Sequence, residues 1–193
     1  MSGVSAELFR AALRDTIALH EQALQDPRPV FSAAAAIVAG LRGGGKLLAF
    51  GNGGSAADAQ HVVADLVGRF RRDRAALAAI ALTTDTSVLT SVANDYGFDR
   101  VFARQIEGLG RRGDVALAIS TSGASPNVVA AVEAAARLGL QTIALTGRDG
   151  GAVGRAAAIH VNVPSDETPR VQEVHRTLLH VICDLVERSL DER

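Results

Sequence analysis

Two segments of the sequence carry side chains that could bind a metal ion or transfer a proton. In the first, His61 and Asp65 are four residues apart, so in a helix both side chains project from one face. An imidazole and a carboxylate at this spacing can chelate a divalent cation. The same spacing also suits an ordinary exposed contact between a histidine and an aspartate. The pattern alone leaves both interpretations open.

The second segment lies near the C-terminus and carries Gln172, His175 and His180. In a regular helix, Gln172 and His180 differ by about 80° in phase and lie about 12 Å apart along the axis. They cannot chelate an ion tightly on their own, so a metal site would need His61 and Asp65 brought between them. We interpret His175 as a structural residue or a support for such a site.

A glycine-rich turn at 51–55 follows a short apolar run and precedes the segment with His61. Glycines permit a tight turn, which would bring backbone N–H groups to a helix N-terminus where a phosphate or a sugar oxygen can bind. We interpret Ser55 and Asp58 as a capping box for that helix. The alternative is that the turn serves only to reverse the chain, as in many α/β proteins.

A second turn, which follows the apolar run 115–119, carries four hydroxyl side chains: Ser120, Thr121, Ser122 and Ser125. Ser125 is placed to be the N-cap of the next helix, and Pro126 its first residue. Capping explains one serine but not four. Hydroxyl and N–H groups that converge on a helix N-terminus can form a phosphate site without a lysine. The alternative is a serine-rich turn that only caps its own helix.

The elements that would position these residues alternate along the chain. Helical periodicity predicts terminal helices over 5–25, 30–42 and 169–190. Apolar runs predict buried strands over 46–50, 77–82, 115–120, 140–146 and 160–163. Helical segments between the strands favour a parallel sheet covered on both faces, in one domain with its α/β core at 46–163. The broad apolar stripes of the terminal helices indicate an oligomer interface, unless these helices simply cover the sheet.

The bulk composition excludes several function classes. A chain of 193 residues with 48% apolar and 21% charged residues suits one globular domain. A formal net charge of -1 provides no basic field for nucleic acid. The single cysteine cannot form an intrachain disulfide, and the opening MSGVSAELFR lacks the layout of a secretory signal. No apolar run reaches the roughly 20 residues of a membrane helix, so we expect a cytoplasmic protein.

Five stretches together resemble one enzyme family. They are GNGGSAADAQH at 51–61, ANDYGFDRVFARQ at 93–105, GDVALAISTSGASPNV at 113–128, ALTGRDGG at 144–151 and VPSDETPRVQEVHRTLLH at 163–180. They are similar to the sedoheptulose 7-phosphate isomerases (phosphoheptose isomerases) of the sugar isomerase (SIS) superfamily, and the similarity spans nearly the whole chain. The serine-rich turn occurs across the superfamily, whereas the two histidine-bearing segments are much narrower in distribution.

The resemblance implies a single SIS domain over 1–193, with a flavodoxin-like three-layer α/β/α sandwich around a five-stranded parallel sheet. It also implies a homotetramer with active sites at subunit interfaces. One zinc ion per subunit would be held by the residues that match the family's ligands: His61, Asp65, Gln172 and His180. The substrate would be bound by a larger set: Asn52, Gly53, Gly54, Ser55, Asp65, Arg69, Asn94, Asp95, Ser120, Thr121, Ser122, Ser125 and Gln172.

The implied reaction converts sedoheptulose 7-phosphate to D-glycero-D-manno-heptose 7-phosphate through an enediol, the first step toward the ADP-heptose or GDP-heptose precursors of surface glycans such as the lipopolysaccharide core. His180 and Asp65 would exchange the protons. The family has glutamate where this chain has Asp65, and the missing methylene withdraws the carboxylate by about 1 Å, a misplacement that can cost roughly 10²-fold in rate.

Two other functions are weighed against this one. Some SIS proteins are not enzymes and instead bind a replication initiator, but such relatives tend to lack the full metal-binding set that His61, Gln172 and His180 retain here. The other alternative is an isomerase of a different sugar phosphate, since the phosphate turn is generic and discriminates substrate length poorly.

Overall fold

The computed structural model describes residues 5–191, in which five strands form one parallel sheet. The strands are β1 Leu47–Gly51, β2 Ala79–Ala81, β3 Val115–Ser120, β4 Gln141–Gly147 and β5 Ile159–Val163. The α-helices are α1 Ala6–Gln25, α2 Arg28–Arg42, α3 Gly54–Val67, α4 Thr86–Tyr96, α5 Val101–Leu109, α6 Pro126–Arg137, α7 Gly151–Ala156 and α8 Thr168–Asp191. The predicted strands and terminal helices are all present, with ends that differ by a few residues at most.

The strand order is β2-β1-β3-β4-β5, which is the flavodoxin-like order. The chain leaves β1 toward β2 on one side and returns to β3 on the other, so the order reverses between β1 and β3. In sheets of this kind, ligands bind in the crevice at such a reversal, outside the carboxyl ends of the strands. Both turns singled out in the sequence, after β1 and after β3, lie there.

The sheet is buried on both faces, which explains why its strands are continuous apolar runs. Leu47 and Ala49 face the helices α2, α3 and α8, whereas Leu48 and Phe50 face α5, α6 and α7. Successive side chains of a strand point to opposite faces, so each strand supplies both cores. The predicted three-layer α/β/α sandwich is therefore confirmed.

The predicted capping box of α3 is wrong. The N-cap is Gly53, with φ +55°, and no side chain caps the helix. Because the helix already begins at Gly54, Ser55 lies inside the first turn and is buried. Asp58 is also buried, and its carboxylate accepts hydrogen bonds from Arg176 on α8 rather than from a backbone group at the N-cap.

Helix α1 packs on α8 through Leu19 but leaves an apolar face uncovered within the chain. Phe9, Leu13, Ile17 and Leu24 lie on that face, and these four side chains and Leu8 are each at least 50% exposed. Covering the sheet therefore does not account for the apolar stripe of this helix. Across residues 5–191, the helices fall short of the combined length and apolar character that crossing a bilayer demands.

Candidate active site

Helices α3 and α8 run side by side in the same direction, and their contacts keep one register. Asp58 pairs with Arg176 and His61 with His180, so the partners are 118 and 119 residues apart in the chain. Sequence reasoning missed the Asp58–Arg176 pair, because spacing along one helix gives no signal of a partner on another. The matched register brings the two histidine-bearing segments of the sequence together.

The end of this contact assembles His61, Asp65 and His180. The Nε2 atoms of the two histidines are 2.8 Å apart, and Asp65 Oδ2 lies 3.5 Å from His61 Nε2. One ligand atom from each of the three residues falls within 4.8 Å of the others. The structure therefore brings these three predicted side chains together.

Asp65 supplies the test of whether this cluster suits a cation. Its Oδ2 atom is buried and has no hydrogen-bond partner within residues 5–191. Burying an unpaired carboxylate oxygen is costly, whereas coordination of a metal satisfies it. Imidazole nitrogen and carboxylate oxygen are also ordinary zinc donors. The donor set and the unpaired oxygen both fit a divalent ion.

Gln172 lies on α8, about two turns before His180, and its side chain packs against the beginning of α3. Its amide packs so closely against Gly54 that a β-carbon there would displace it. Gln172 and His180 line one cavity of about 550 Å³ together with Asp58 and Arg176. The predicted ligand therefore opens on the same cavity as His180, and its coordination of an ion stays a prediction.

Aromatic contacts fix the ring of His180. The ring of His61 lies on it with centroids 5.0 Å apart, and the ring of Phe70, just after α3, with centroids 5.4 Å apart. Phe70 was not among the predicted site residues. His175, in contrast, is fully buried, with Nε2 3.0 Å from the Thr146 carbonyl oxygen. Burial lowers the pKa of His175, which agrees with the structural role predicted for it.

The glycine-rich turn after β1 and the serine-rich turn after β3 are joined by hydrogen bonds between two side-chain amides. Asn52 follows β1 and Asn127 opens α6, and each side-chain amide donates to the other's Oδ1 at 2.9 Å. Asn127 is buried, at 2% exposure. Its position just inside a helix carried no sequence signal. This reciprocal pair crosses the point where the strand order reverses.

The serine-rich turn does not cap its own helix. Ser125 occupies the predicted N-cap position and Pro126 follows it, but the hydroxyl of Ser125 makes no capping bond. Instead its Oγ lies 3.2 Å from Ser120 Oγ, which is 3.5 Å from Ser122 Oγ. Thr121 is half-buried beside them. The hydroxyl groups are thus gathered at the start of α6, as a phosphate site would require.

Three residues that the resemblance assigns to the substrate lie elsewhere in the chain. Asn94 and Asp95 are exposed on α4, where the Asn94 amide donates to Asp95 Oδ1 at 2.8 Å. Arg69 is exposed directly after α3. Within the described part of the chain, none of these three residues lines the cavity that Gln172 and His180 share.

Comparison with known proteins decides which family carries this site. Residues 10–147 match the family model described as the SIS domain. A phosphoheptose isomerase from Geobacter sp. (strain M21) is 58% identical over 159 residues, which cover 82% of this chain and 83% of that protein. The chain belongs to the phosphoheptose isomerase family. A further relative of that name, from Bradyrhizobium sp. (strain BTAi1 / ATCC BAA-1182), is 51% identical over 193 residues, 98% of each chain.

A solved phosphoheptose isomerase from Neisseria gonorrhoeae has the same fold. It is 46% identical and superposes with a TM-score of 0.89 over 94% of this chain and 98% of that one. The predicted membership of the phosphoheptose isomerase family is confirmed, and the chain is an isomerase. These relatives favour neither the initiator-binding alternative nor an isomerase of another sugar phosphate.

Proposed function

We propose that the protein interconverts sedoheptulose 7-phosphate and D-glycero-D-manno-heptose 7-phosphate at the cluster of His61, Asp65 and His180. The observation that carries this proposal is the convergence of these three groups, from two helices, beside a cavity of about 550 Å³. Aldose–ketose isomerisation moves one proton between C1 and C2 and another between the two oxygens. A carboxylate and an imidazole within reach of one substrate supply the two groups that this exchange needs.

The proton roles follow from the chemistry of the two groups. The carboxylate of Asp65 can take a proton from carbon, and the imidazole of His180 can exchange one with a substrate oxygen. Phe70 and His61 pack on the ring of His180 and restrict its orientation. The imidazole is then held in place before the substrate arrives, which lowers the entropic cost of the reaction.

The metal proposed for this site is one zinc ion per subunit, held by His61, Asp65, Gln172 and His180. The unpaired oxygen of Asp65 and the close approach of the two imidazoles support it. When bound, zinc polarises a substrate carbonyl and offsets negative charge that develops on its oxygen. Because Asp65 and His180 are proposed for both roles, metal binding has to be measured separately from turnover.

The remaining contacts divide between phosphate and sugar. We assign the phosphate to the hydroxyl cluster at the start of α6, formed by Ser120, Thr121, Ser122 and Ser125. Hydroxyl groups at a positive helix end suit an anion. We assign the sugar hydroxyls to the first turn, which contains Asn52, Gly53, Gly54 and Ser55, and to Gln172.

We further propose a homotetramer with the active sites at subunit interfaces. The uncovered apolar face of α1 supports an oligomer. Arg69, Asn94 and Asp95 are exposed, so each is accessible to the site of a neighbouring subunit. The proposed location is the cytoplasm, where a membrane-impermeant sugar phosphate is retained.

Turnover of sedoheptulose 7-phosphate by the purified, zinc-loaded protein tests the function, with aldoheptose phosphate followed over time. A shorter ketose phosphate assayed in parallel tests substrate length. Absence of product from the heptulose phosphate would overturn the proposal, and turnover that survives complete metal removal would exclude zinc from the reaction. The variant His180→Asn should retain the fold and lose roughly 10²- to 10⁴-fold in kcat, as expected for a general acid or base.

A further inference from the structure

A buried carboxylate lies at the C-terminal end of the contact between α3 and α8. Glu187 lies on α8 seven residues after His180, and its side chain is 0% exposed. It accepts hydrogen bonds from the backbone N–H groups of Phe70, Arg71 and Arg72 at 2.7, 2.9 and 3.2 Å. The segment that follows α3 is therefore fastened to α8 through its backbone.

Arg74 is the cation that accompanies this carboxylate. Its Nε atom donates to Glu187 at 3.1 Å, and its side chain is only 10% exposed. The guanidinium also donates to the carbonyl groups of Asp65 and Leu66, each at 2.8 Å, and of Ala75 at 3.0 Å. The last carbonyl groups of a helix have no partner within it, and Arg74 satisfies two of them at the end of α3.

These bonds reach the reactive cluster on two sides. Arg74 holds the backbone of Asp65, whose side chain belongs to the cluster. Glu187 holds the backbone of Phe70, whose ring packs on His180. Seven residues along a helix amount to a rotation within about 20° of two full turns, so Glu187 and His180 share one face of α8. The ion pair thus holds the backbone of Asp65 and that of Phe70, whose ring contacts His180.

We infer that Glu187 and Arg74 are positioning residues for Asp65 and His180, an inference that rests on the proposed function. Stability alone does not explain the pair, because a buried ion pair is often no more stabilising than apolar residues of similar size. What apolar residues cannot supply is the set of directed bonds to backbone groups between residues 65 and 75. The pair fixes the distance between the carboxylate of Asp65 and the imidazole of His180.

A second buried ion pair provides a matched control. Asp114 is 3% exposed, and it accepts from Lys46 Nζ at 2.6 Å. It also accepts from the backbone N–H groups of Lys46 and Arg111, at 2.9 and 2.8 Å. This pair resembles the first in burial and in its backbone bonds. It lies where β1 and β3 begin, and these hydrogen bonds of Asp114 involve neither α3 nor α8.

The test compares Glu187→Gln with Asp114→Asn in the zinc-loaded protein, by kcat, KM and Tm. Glutamine turns an amide toward backbone donors and removes the charge opposite Arg74. Loss of a supporting contact of this kind typically lowers activity about 10- to 100-fold. We expect that loss in kcat for Glu187→Gln, with KM within about threefold of the parent. Asp114→Asn should lower Tm but keep kcat within about twofold.

Arg74→Lys provides a second, milder variant that decides the question if Glu187→Gln does not fold. Lysine keeps the charge but cannot span the carbonyl groups of Asp65 and Leu66, so kcat should again fall with little change in KM. NMR of histidine-labelled protein gives a readout independent of turnover. The ring protons of His180 should shift in both variants, as Phe70 moves, and not in Asp114→Asn.

The activity of the parent protein distinguishes a failure of the positioning role from a failure of the proposed function. If the parent converts the heptulose phosphate and the folded variants keep its kcat while losing Tm as Asp114→Asn does, the positioning role is overturned. If the parent gives no product, the proposed function fails. The NMR comparison then still decides whether Glu187 and Arg74 hold Phe70 against His180.

Discussion

The Nε2 atoms of His61 and His180 lie 2.8 Å apart, although 119 residues separate them in the chain. At this distance the two nitrogens cannot both carry a proton. A proton shared between the rings, or a cation bound by both, satisfies this geometry. The parallel register of α3 and α8 is thus what turns two ordinary histidines into one site.

The length of the side chain at residue 65 should limit the rate. Asp65 stands where the resembled family has glutamate, and a carboxylate withdrawn by about 1 Å can cost roughly 10²-fold. We expect Asp65→Glu to raise kcat, by up to about tenfold, because the longer side chain restores the reach of the carboxylate. Steady-state kinetics with a zinc determination checks this, and Asp65→Asn is the control that should lose both zinc and activity. A glutamate variant no faster than the parent would contradict a geometric handicap.

The reciprocal amide pair should govern substrate binding. Replacing Asn127 by aspartate keeps its shape and one hydrogen bond from Asn52, but it removes the N–H donor to Asn52 Oδ1. An unpaired buried acceptor costs about 1–3 kcal/mol. Because Asn127→Asp also buries a carboxylate, we expect it to lower the free energy of unfolding by at least this amount, and to raise KM more than it lowers kcat. An unchanged KM in a stably folded variant would show that Asn52 does not depend on its partner.

The stability of the fold should fall in acid partly through Glu187. Burial by itself raises the pKa of this carboxyl group, but the backbone N–H groups of Arg71, Phe70 and Arg72 and the charge of Arg74 outweigh burial and lower the pKa. The unfolded chain therefore takes up the proton at a higher pH than the folded chain. The stabilisation is complete above the unfolded pKa of about 4.3 and is lost as pH falls through the lowered folded value.

Urea unfolding of the parent and Glu187→Gln at a series of pH values measures this contribution. Below about pH 5 the free energy of unfolding should decline more steeply in the parent than in the variant. Asp114, whose pKa is also lowered, contributes equally to both proteins and serves as the common background. Identical declines would show that Glu187 does not bind its proton differently in the two states.

The thiol of Cys183 should be inert in the folded protein. Burial, and secondarily the charges of Asp65 and Glu187, raise its pKa to about 12, and only the thiolate form is nucleophilic. A thiol-specific reagent should therefore react with the unfolded chain and hardly at all with the native protein near pH 8. Fast stoichiometric labelling of native protein would mean that the core beneath Asp65 opens readily.

The sequence predicted what depends on local periodicity and missed what depends on partners far along the chain. The apolar runs identified all five strands because a doubly covered parallel sheet requires them. The sequence also predicts the start of α6 at Pro126. Asp58 was assigned to a capping box on spacing alone, since its actual partner, Arg176, is 118 residues away.

The supporting residues of the site were harder still to predict. Glu187 could have been noticed as a carboxylate within the apolar stripe of α8. Its hydrogen bonds, however, come from backbone N–H groups, which leave no mark on the sequence. Asn127 pairs with Asn52 only because the fold places the ends of β1 and β3 side by side. Residue type identifies the side chains that contact a ligand directly. The contacts that hold those side chains in place depend on the topology of the fold.

Isomerisation in D₂O, with the product analysed by NMR, tests most directly whether Asp65 and His180 transfer protons through an enediol. If Asp65 and His180 transfer protons through an enediol, the aldoheptose 7-phosphate formed from sedoheptulose 7-phosphate should carry deuterium at C2, because the transferred proton exchanges with solvent. Product that carries only protium at C2, or no product from zinc-loaded protein, would contradict this proton transfer.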